Sequence, residues 1–125
     1  MRGFSDDVLA ALRAGKYVWI RAGDDHRFIA IWAVVVGRRV YVRSWNVKPT
    51  GWHRVFAEEK KGAIRLSKDS PEIPVRAAHV RSDRVKSAVE DAYAEKYTTP
   101  SSSKYVRGFR AVKRRDATFE LVYKP

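Results

Sequence analysis

The chain has 125 residues and a formal net charge of +12, from 26 Lys and Arg against 14 Asp and Glu, and it contains no cysteine. A chain of this length is expected to form one domain, residues 1–125, and to bury a core without disulfides or a structural metal. The lack of cysteine excludes disulfide frameworks, Cys-ligated zinc or iron–sulfur sites and thiol nucleophiles.

Hydropathy and aromatic content indicate a folded protein in the cytoplasm. The longest apolar run, residues 28–36, spans about nine residues and is too short to cross a bilayer. The N-terminus lacks the apolar core of a signal peptide. Aromatic residues make up 12% of the chain, too many for a disordered tail, so the positive charge is expected on a folded surface. We therefore predict a cytoplasmic protein without a membrane partner.

The first predicted element is a helix at residues 5–14. Ser5 suits the N-cap, and Leu9 and Leu12 fall on one helical face. Gly15 suits the end of the helix. Such a short amphipathic helix is expected to cover part of a larger core.

The chain then changes to segments rich in β-branched and aromatic residues, which predict strands. Gly37-Arg38 fits a tight hairpin turn between two of them. Residues 52–59 fit either a helical turn or a strand, and both alternatives stay open. The predicted strands of this part of the chain, which spans residues 16–82, are residues 17–21, 27–36, 39–45, 63–66 and 73–80.

A second helix is predicted at residues 83–97, where Val85, Val89 and Tyr93 recur at helical spacing. The serine-rich segment at residues 98–103 is predicted to be a loop. The closing strands are expected within residues 104–123, at residues 105–109 and 117–123. This order of elements favours a mainly antiparallel β-barrel or α+β domain with two helices.

Motifs for side-chain catalysis or metal binding are weak. His26 adjoins Asp24 and Asp25, but no second group of ligands stands at metal-binding spacing, so a polar turn is the preferred interpretation. Ser101 and Lys104 match a Ser-x-x-Lys pattern without the further motifs of acyl-transfer enzymes. The glycines are scattered singly and form no phosphate-binding loop. We assign no catalytic and no metal-binding residue.

Basic clusters leave two interpretations open. They can bind single-stranded nucleic acid or another polyanion together with the interleaved aromatic residues. They can also serve only solubility, since each cluster is predicted at a turn or a strand end. The clusters are Arg38-Arg39, Lys60-Lys61 and Lys113-Arg114-Arg115.

Arg43 and Ser44 form the most suggestive constellation, because both stand at the end of an apolar strand. Together with Lys48 they can gather on one phosphate, and the indole of Trp52 suits a flat ring nearby. The alternative is that Arg43 caps the strand end and that Trp45 and Trp52 belong to the core or to an interface.

Five segments resemble a known family across residues 4–122. They are Ile31-Trp32-Ala33-Val34-Val35-Val36-Gly37, Val40-Tyr41-Val42-Arg43-Ser44-Trp45, Gly51-Trp52-His53-Arg54, Asp91-Ala92-Tyr93-x-x-Lys96-Tyr97 and Ala117-Thr118-Phe119-Glu120-Leu121. They resemble the bacterial family of unknown function numbered 2255. That family is similar in turn to the split β-barrel flavoproteins, which include pyridoxamine-phosphate-oxidase-like proteins and deazaflavin-dependent nitroreductases.

The resemblance implies a six-stranded antiparallel Greek-key split β-barrel with two peripheral helices. It further implies a homodimer with a groove for flavin mononucleotide (FMN) or a deazaflavin at the subunit interface. The Ser-x-Lys step of the oxidase-like members is absent here, since Lys48 is displaced and precedes Pro49. The residues that the resemblance assigns to cofactor binding are Arg43, Ser44, Lys48 and Thr50 for the phosphate, Trp32 and Trp52 for the ring, and Lys96 and Tyr97 at the end of the groove.

Three functions follow as alternatives. The first is a flavin- or deazaflavin-dependent oxidoreductase acting on a small molecule, in which the cofactor carries the hydride and no side-chain acid–base pair is needed. The second is a barrel that binds single-stranded nucleic acid or another polyanion. The third is a dimeric binding module without a cofactor, in which Arg43 is structural.

Overall fold

Seven antiparallel strands form one sheet in the order β2-β1-β5-β6-β7-β4-β3. The computed structural model describes residues 3–24, 27–45 and 51–124. The strands are β1 (Val18–Ala22), β2 (Ile29–Ile31), β3 (Ala33–Val36), β4 (Arg39–Arg43), β5 (Lys61–Arg65), β6 (Ile73–His79) and β7 (Thr118–Tyr123). The helices are α1 (Asp6–Ala14), α2 (Trp52–Glu59), α3 (Asp83–Lys96), α4 (Pro100–Gly108) and α5 (Val112–Arg115).

The sheet curls into a nearly closed barrel because β2 and β3 stand at its two ends and only Trp32 separates them. β2 pairs with β1, and β3 pairs with β4. The predicted strand at residues 27–36 is therefore wrong as one continuous strand. At the break, the Trp32 carbonyl accepts a hydrogen bond of 3.0 Å from the Tyr93 hydroxyl. Counted as one bent strand, β2 and β3 give the predicted six-stranded antiparallel barrel.

Two apolar clusters hold the structure together. The first fills the barrel and is covered by α1, whose Leu9 and Leu12 are buried. The Ser5 hydroxyl caps this helix by accepting from the backbone N–H of Val8, as predicted. The second cluster lies on the other face of β3 and β4, under α3 and α4, and includes Tyr93 and Phe109.

Residues 105–109 are a correction to the sequence analysis, since they form the end of α4 and its C-cap, Phe109, rather than a closing strand. The loop predicted at residues 98–103 is shorter than expected, because α4 already begins at Pro100. Pro100 occupies the first turn of α4, where its missing N–H costs nothing. Ser102 and Val106 are buried at helical spacing. β7 is already paired on both sides, with β4 and β6, so no edge remains for a further strand.

The helix content therefore exceeds the two peripheral helices that were predicted. α2 settles the open alternative at residues 52–59 in favour of a helix. The hairpin between β3 and β4 turns at Gly37 with a φ of +63°, a conformation that glycine adopts without strain. Within the part of the chain that the structure describes, no helix is long and apolar enough to span a membrane.

Candidate functional site

An aromatic cleft of about 720 Å³ lies at the end of the barrel where β1, β2 and β4 meet α2 and α4. Three of the four tryptophans line it, and Trp19 does not. Arg27 and Arg43 are the charged residues among the described lining. The lining, called here the aromatic cleft, comprises Tyr17, Ile20, Ala22, Arg27, Ile29, Ala30, Ile31, Trp32, Arg43, Ser44, Trp45, Gly51, Trp52, Val55, Tyr105 and Phe109.

Trp32 is held from behind by Tyr97. The two rings stack with centroids 4.1 Å apart and an angle of 6°. The Tyr97 hydroxyl donates to the Lys16 carbonyl at 2.7 Å, and it accepts from the Ala33 N–H at 3.3 Å. Burial raises the pKa of this hydroxyl above its usual range. Tyr97 thus fixes Trp32 and does not itself line the cleft.

Trp45 is held by α4 and α5. The Arg114 guanidinium lies 3.5 Å from the centroid of the indole, and its Nε donates to the Trp45 carbonyl at 2.9 Å. Gly108 makes this packing feasible, because a Cβ there would stand 2.3 Å from the ring. Trp45 is half-buried, so one part of the ring is locked while another borders the cleft.

Trp52 begins α2 and forms the third wall. Its ring meets Phe56 at 5.8 Å and Phe119 at 6.1 Å between centroids. Phe56 is fully buried in the barrel and anchors α2 there. Trp32, Trp45 and Trp52 are all half-buried, which gives the cleft rigid aromatic walls.

Arg43 borders the cleft, but its side chain is fully buried. Its Nε donates to the Thr118 hydroxyl at 2.7 Å, and its Nη1 donates to Glu90 at 3.1 Å. Nη1 also donates to the Phe109 carbonyl at 2.9 Å, and Nη2 donates to the Lys86 carbonyl at 2.9 Å. A guanidinium carries five N–H groups, and these bonds use four of them. This geometry favours the alternative in which Arg43 holds the strand end.

Electrostatics agree with a structural role for Arg43. Burial lowers the pKa of its guanidinium, and the Glu90 carboxylate opposes that shift. Arginine remains charged in proteins, so the buried charge needs Glu90 as its counter-ion. Arg115 donates to the same Glu90 oxygen. The network joins β4 to α3, α5 and β7.

Ser44 follows Arg43 and is also buried, with its N–H donating to the Ala117 carbonyl at 3.1 Å. It borders the cleft beside Trp45. Lys48 and Thr50, the other predicted phosphate ligands, lie outside the described residues. His26 and Asp25 of the turn considered for metal binding lie outside them as well.

The structure does not bring Lys96 to the cleft. Its ammonium donates to the carbonyls of Leu12 at 2.7 Å and Ala33 at 2.6 Å, and so ties α1 to β3. Burial lowers the pKa of Lys96 to about 8. A separate recess of about 310 Å³, which Arg13 and Glu95 also line, borders this residue. Within the described ranges, no group of three or more His, Asp or Glu could hold a metal.

Sequence analysis missed several cleft residues. Tyr105 and Phe109 were assigned to a strand, although Pro100 and the spacing of Ser102 and Val106 are typical of a helix. Arg27 was treated only as the start of a strand. Trp45 was placed in the core or an interface, and the structure puts it partly in contact with the cleft.

A protein family and two solved structures are similar to this chain. The bacterial family described as "Uncharacterized protein conserved in bacteria (DUF2255)" matches residues 11–121. A conserved hypothetical protein from Mycobacterium tuberculosis superposes with a TM-score of 0.66 at 14% identity, covering 98% of this chain and 82% of that one. A putative pyridoxamine 5'-phosphate oxidase from Listeria innocua superposes with a TM-score of 0.57 at 14% identity, covering 96% and 91%. No curated protein matches the chain.

Proposed function

This chain belongs to the bacterial DUF2255 family, and on that premise we propose that its aromatic cleft binds the flat ring of a flavin or deazaflavin in a small-molecule oxidoreductase. The observation that carries the proposal is the set of three half-buried tryptophans, held by packing around one cleft of about 720 Å³. Small-molecule sites are typically concave, largely apolar and about 300–1,000 Å³ in volume. The fold shared with the Listeria protein supports the same ligand class.

The described residues fit the ring of such a cofactor. Trp45 and Trp52 offer indole surfaces for stacking, and Trp32 is the third indole of the lining. The lining contains no carboxylate among the described residues, so no paired acid and base is available there. When bound, the cofactor supplies the hydride chemistry, while the protein orients the ring and excludes water from it.

The phosphate of FMN needs cations other than Arg43, whose guanidinium is largely committed to internal acceptors. Arg27 is the exposed cation of the described lining, and no hydrogen bond or ion pair from it to the described residues is present. We assign Arg27 to the anionic side chain of the ligand. Lys48 and Thr50 stay predictions for the same role.

A pair of ligands tests this assignment, because riboflavin has the ring of FMN without its phosphate. We expect Arg27→Gln to weaken FMN binding about 5- to 10-fold, the loss of one charge-assisted contact, and to leave riboflavin binding unchanged. Quenching of flavin fluorescence measures both affinities. The matched control is Arg76→Gln, an exposed arginine on β6 that does not line the cleft. Equal loss for both ligands would refute the role of Arg27.

We further propose that the chain forms a homodimer whose second copy packs against the β1–β2 side of the cleft mouth. Two large apolar side chains of the lining are exposed on that side of one chain, namely Tyr17 at 44% and Ile29 at 39%. Burying such a group between two copies stabilises an assembly in proportion to the apolar area removed from water.

One observation favours a second candidate function, a dimeric barrel that binds a small molecule without a redox cofactor. The closed set of acceptors around Arg43 leaves the cleft with less positive charge than a phosphate-bearing cofactor prefers. In that case a flat, uncharged ligand still raises the melting temperature of the protein, whereas FMN and deazaflavins do not.

A further inference from the structure

The segment at residues 100–115 carries six basic residues and no acidic one. Two of the six point inward, because Arg114 stacks on Trp45 and Arg115 binds Glu90. The other four are exposed, and we call them the basic strip: Lys104, Arg107, Arg110 and Lys113. The flavin proposal makes no use of them.

The basic strip has no counter-ion among the described residues. No side-chain hydrogen bond or ion pair joins any of its four residues to another described residue, and the Lys104 ammonium stands 5.1 Å from the ring centroid of Tyr105. Exposed side chains spread along α4 and α5 do not form a pocket for one phosphate. They match a chain of phosphates, which exposed cations bind by releasing counter-ions.

The strip is attached to one wall of the aromatic cleft. Tyr105 and Phe109 come from the same segment and line the cleft. Gly108 packs against the Trp45 ring, and Arg114 donates to the Trp45 carbonyl. The four exposed cations and the exposed Tyr105 ring therefore lie on one segment, which packs against Trp45.

We propose that the basic strip and the adjoining mouth of the aromatic cleft bind single-stranded nucleic acid. The cations hold consecutive phosphates, and Tyr105 and Trp45 stack on unpaired bases. Positive charge beside aromatic rings is the combination that single strands require, since their bases have free faces. A duplex keeps its bases stacked on one another and cannot place them in a cleft. The inference does not depend on flavin binding, although a flavin in the cleft would compete with the bases.

Salt dependence measures the number of phosphates that the strip neutralises. For four contacts to a single strand, the logarithm of the association constant falls with the logarithm of the salt concentration at a slope of about −2.8. Affinity therefore falls about 50-fold between about 50 and 200 mM salt. Anisotropy of a labelled oligothymidylate of about 20 nucleotides provides the binding curve. In the double variant Arg107→Gln/Lys113→Gln the slope is expected to flatten to about −1.4. Affinity then falls only about sevenfold over the same range of salt.

The matched control removes two charges from residues outside the segment that carries the basic strip. Lys68→Gln/Arg76→Gln changes exposed residues beside β5 and β6 and should keep the slope of the unaltered chain. Three results would overturn the proposal: no binding of the oligonucleotide, equal binding of a duplex of the same length, or an equal loss of slope in both double variants. Binding to phosphatidylserine vesicles without binding to the oligonucleotide would also overturn it. Flavin binding is titrated without oligonucleotide and oligonucleotide binding without flavin, so the failure of one proposal can be told from the failure of the other.

Discussion

Replacing Glu90 with alanine is expected to lower the free energy of unfolding by about 3–5 kcal/mol, because it leaves the buried Arg43 charge without its carboxylate. The Arg43 side chain is fully buried, and its Nη1 lies 3.1 Å from Glu90. Arg115 binds the same carboxylate oxygen. Urea unfolding followed by circular dichroism measures the loss.

Two variants make the interpretation specific. Glu90→Gln keeps an acceptor for Arg43 but removes the charge, so its loss should be smaller than that of Glu90→Ala. Glu95→Ala removes an exposed carboxylate from the same helix and should change stability by less than about 0.5 kcal/mol. If Glu90→Ala lowered the free energy of unfolding no more than Glu95→Ala, the buried network around Arg43 would not stabilise the fold as the structure indicates.

Replacing Phe56 with alanine is expected to cost about 3–5 kcal/mol, the usual range for removing a fully buried aromatic ring. Phe56 is 0% exposed, and its ring contacts Trp52 and Phe119. The cavity lies between α2 and the barrel, so the same change should loosen Trp52 and weaken ligand binding in the cleft. Thermal unfolding and flavin titration measure the two effects.

Phe56→Leu provides the control, because it retains most of the apolar volume and should cost clearly less than the alanine variant. A loss below about 1 kcal/mol for Phe56→Ala would show that α2 does not depend on this anchor. Full stability combined with lost ligand binding would contradict the account too, since packing is the stated link between the two.

Local sequence patterns predicted the elements that are held by contacts between residues close in sequence. Alternation and Gly37 predicted the hairpin of β3 and β4, and apolar residues at helical spacing predicted α3. α4 was missed because Tyr105-Val106 resembles a strand locally. Only the pairing of β7 with both β4 and β6 shows that no strand can be added there.

The candidate site depended more strongly on long-range contacts. Trp32, Ser44 and Trp52 do converge on one cleft. Arg43 stood in a pattern typical of phosphate binding, yet its partners Glu90 and Phe109 follow 47 and 66 residues later. Lys96 was carried over from the family resemblance, whereas its place on α3 directs its ammonium to α1 and β3. Neither outcome can be read from neighbouring residues.

The central claim is that the aromatic cleft binds a flavin-type ring, and the most direct measurement is the visible spectrum of the protein after incubation with FMN or a deazaflavin and gel filtration. In-line light scattering gives the mass of the same peak. The account predicts a dimer of the 14.4 kDa chain that retains about one ring per chain.

Tryptophan variants test whether the flavin ring binds in the aromatic cleft. Trp19→Phe leaves the cleft intact and should retain the ring, whereas Trp45→Leu and Trp52→Leu, checked for folding by circular dichroism, should bind about tenfold or more weakly. A dimer or monomer that retains neither FMN nor deazaflavin, or a Trp19→Phe variant that loses the ring as readily as Trp45→Leu, would contradict the account.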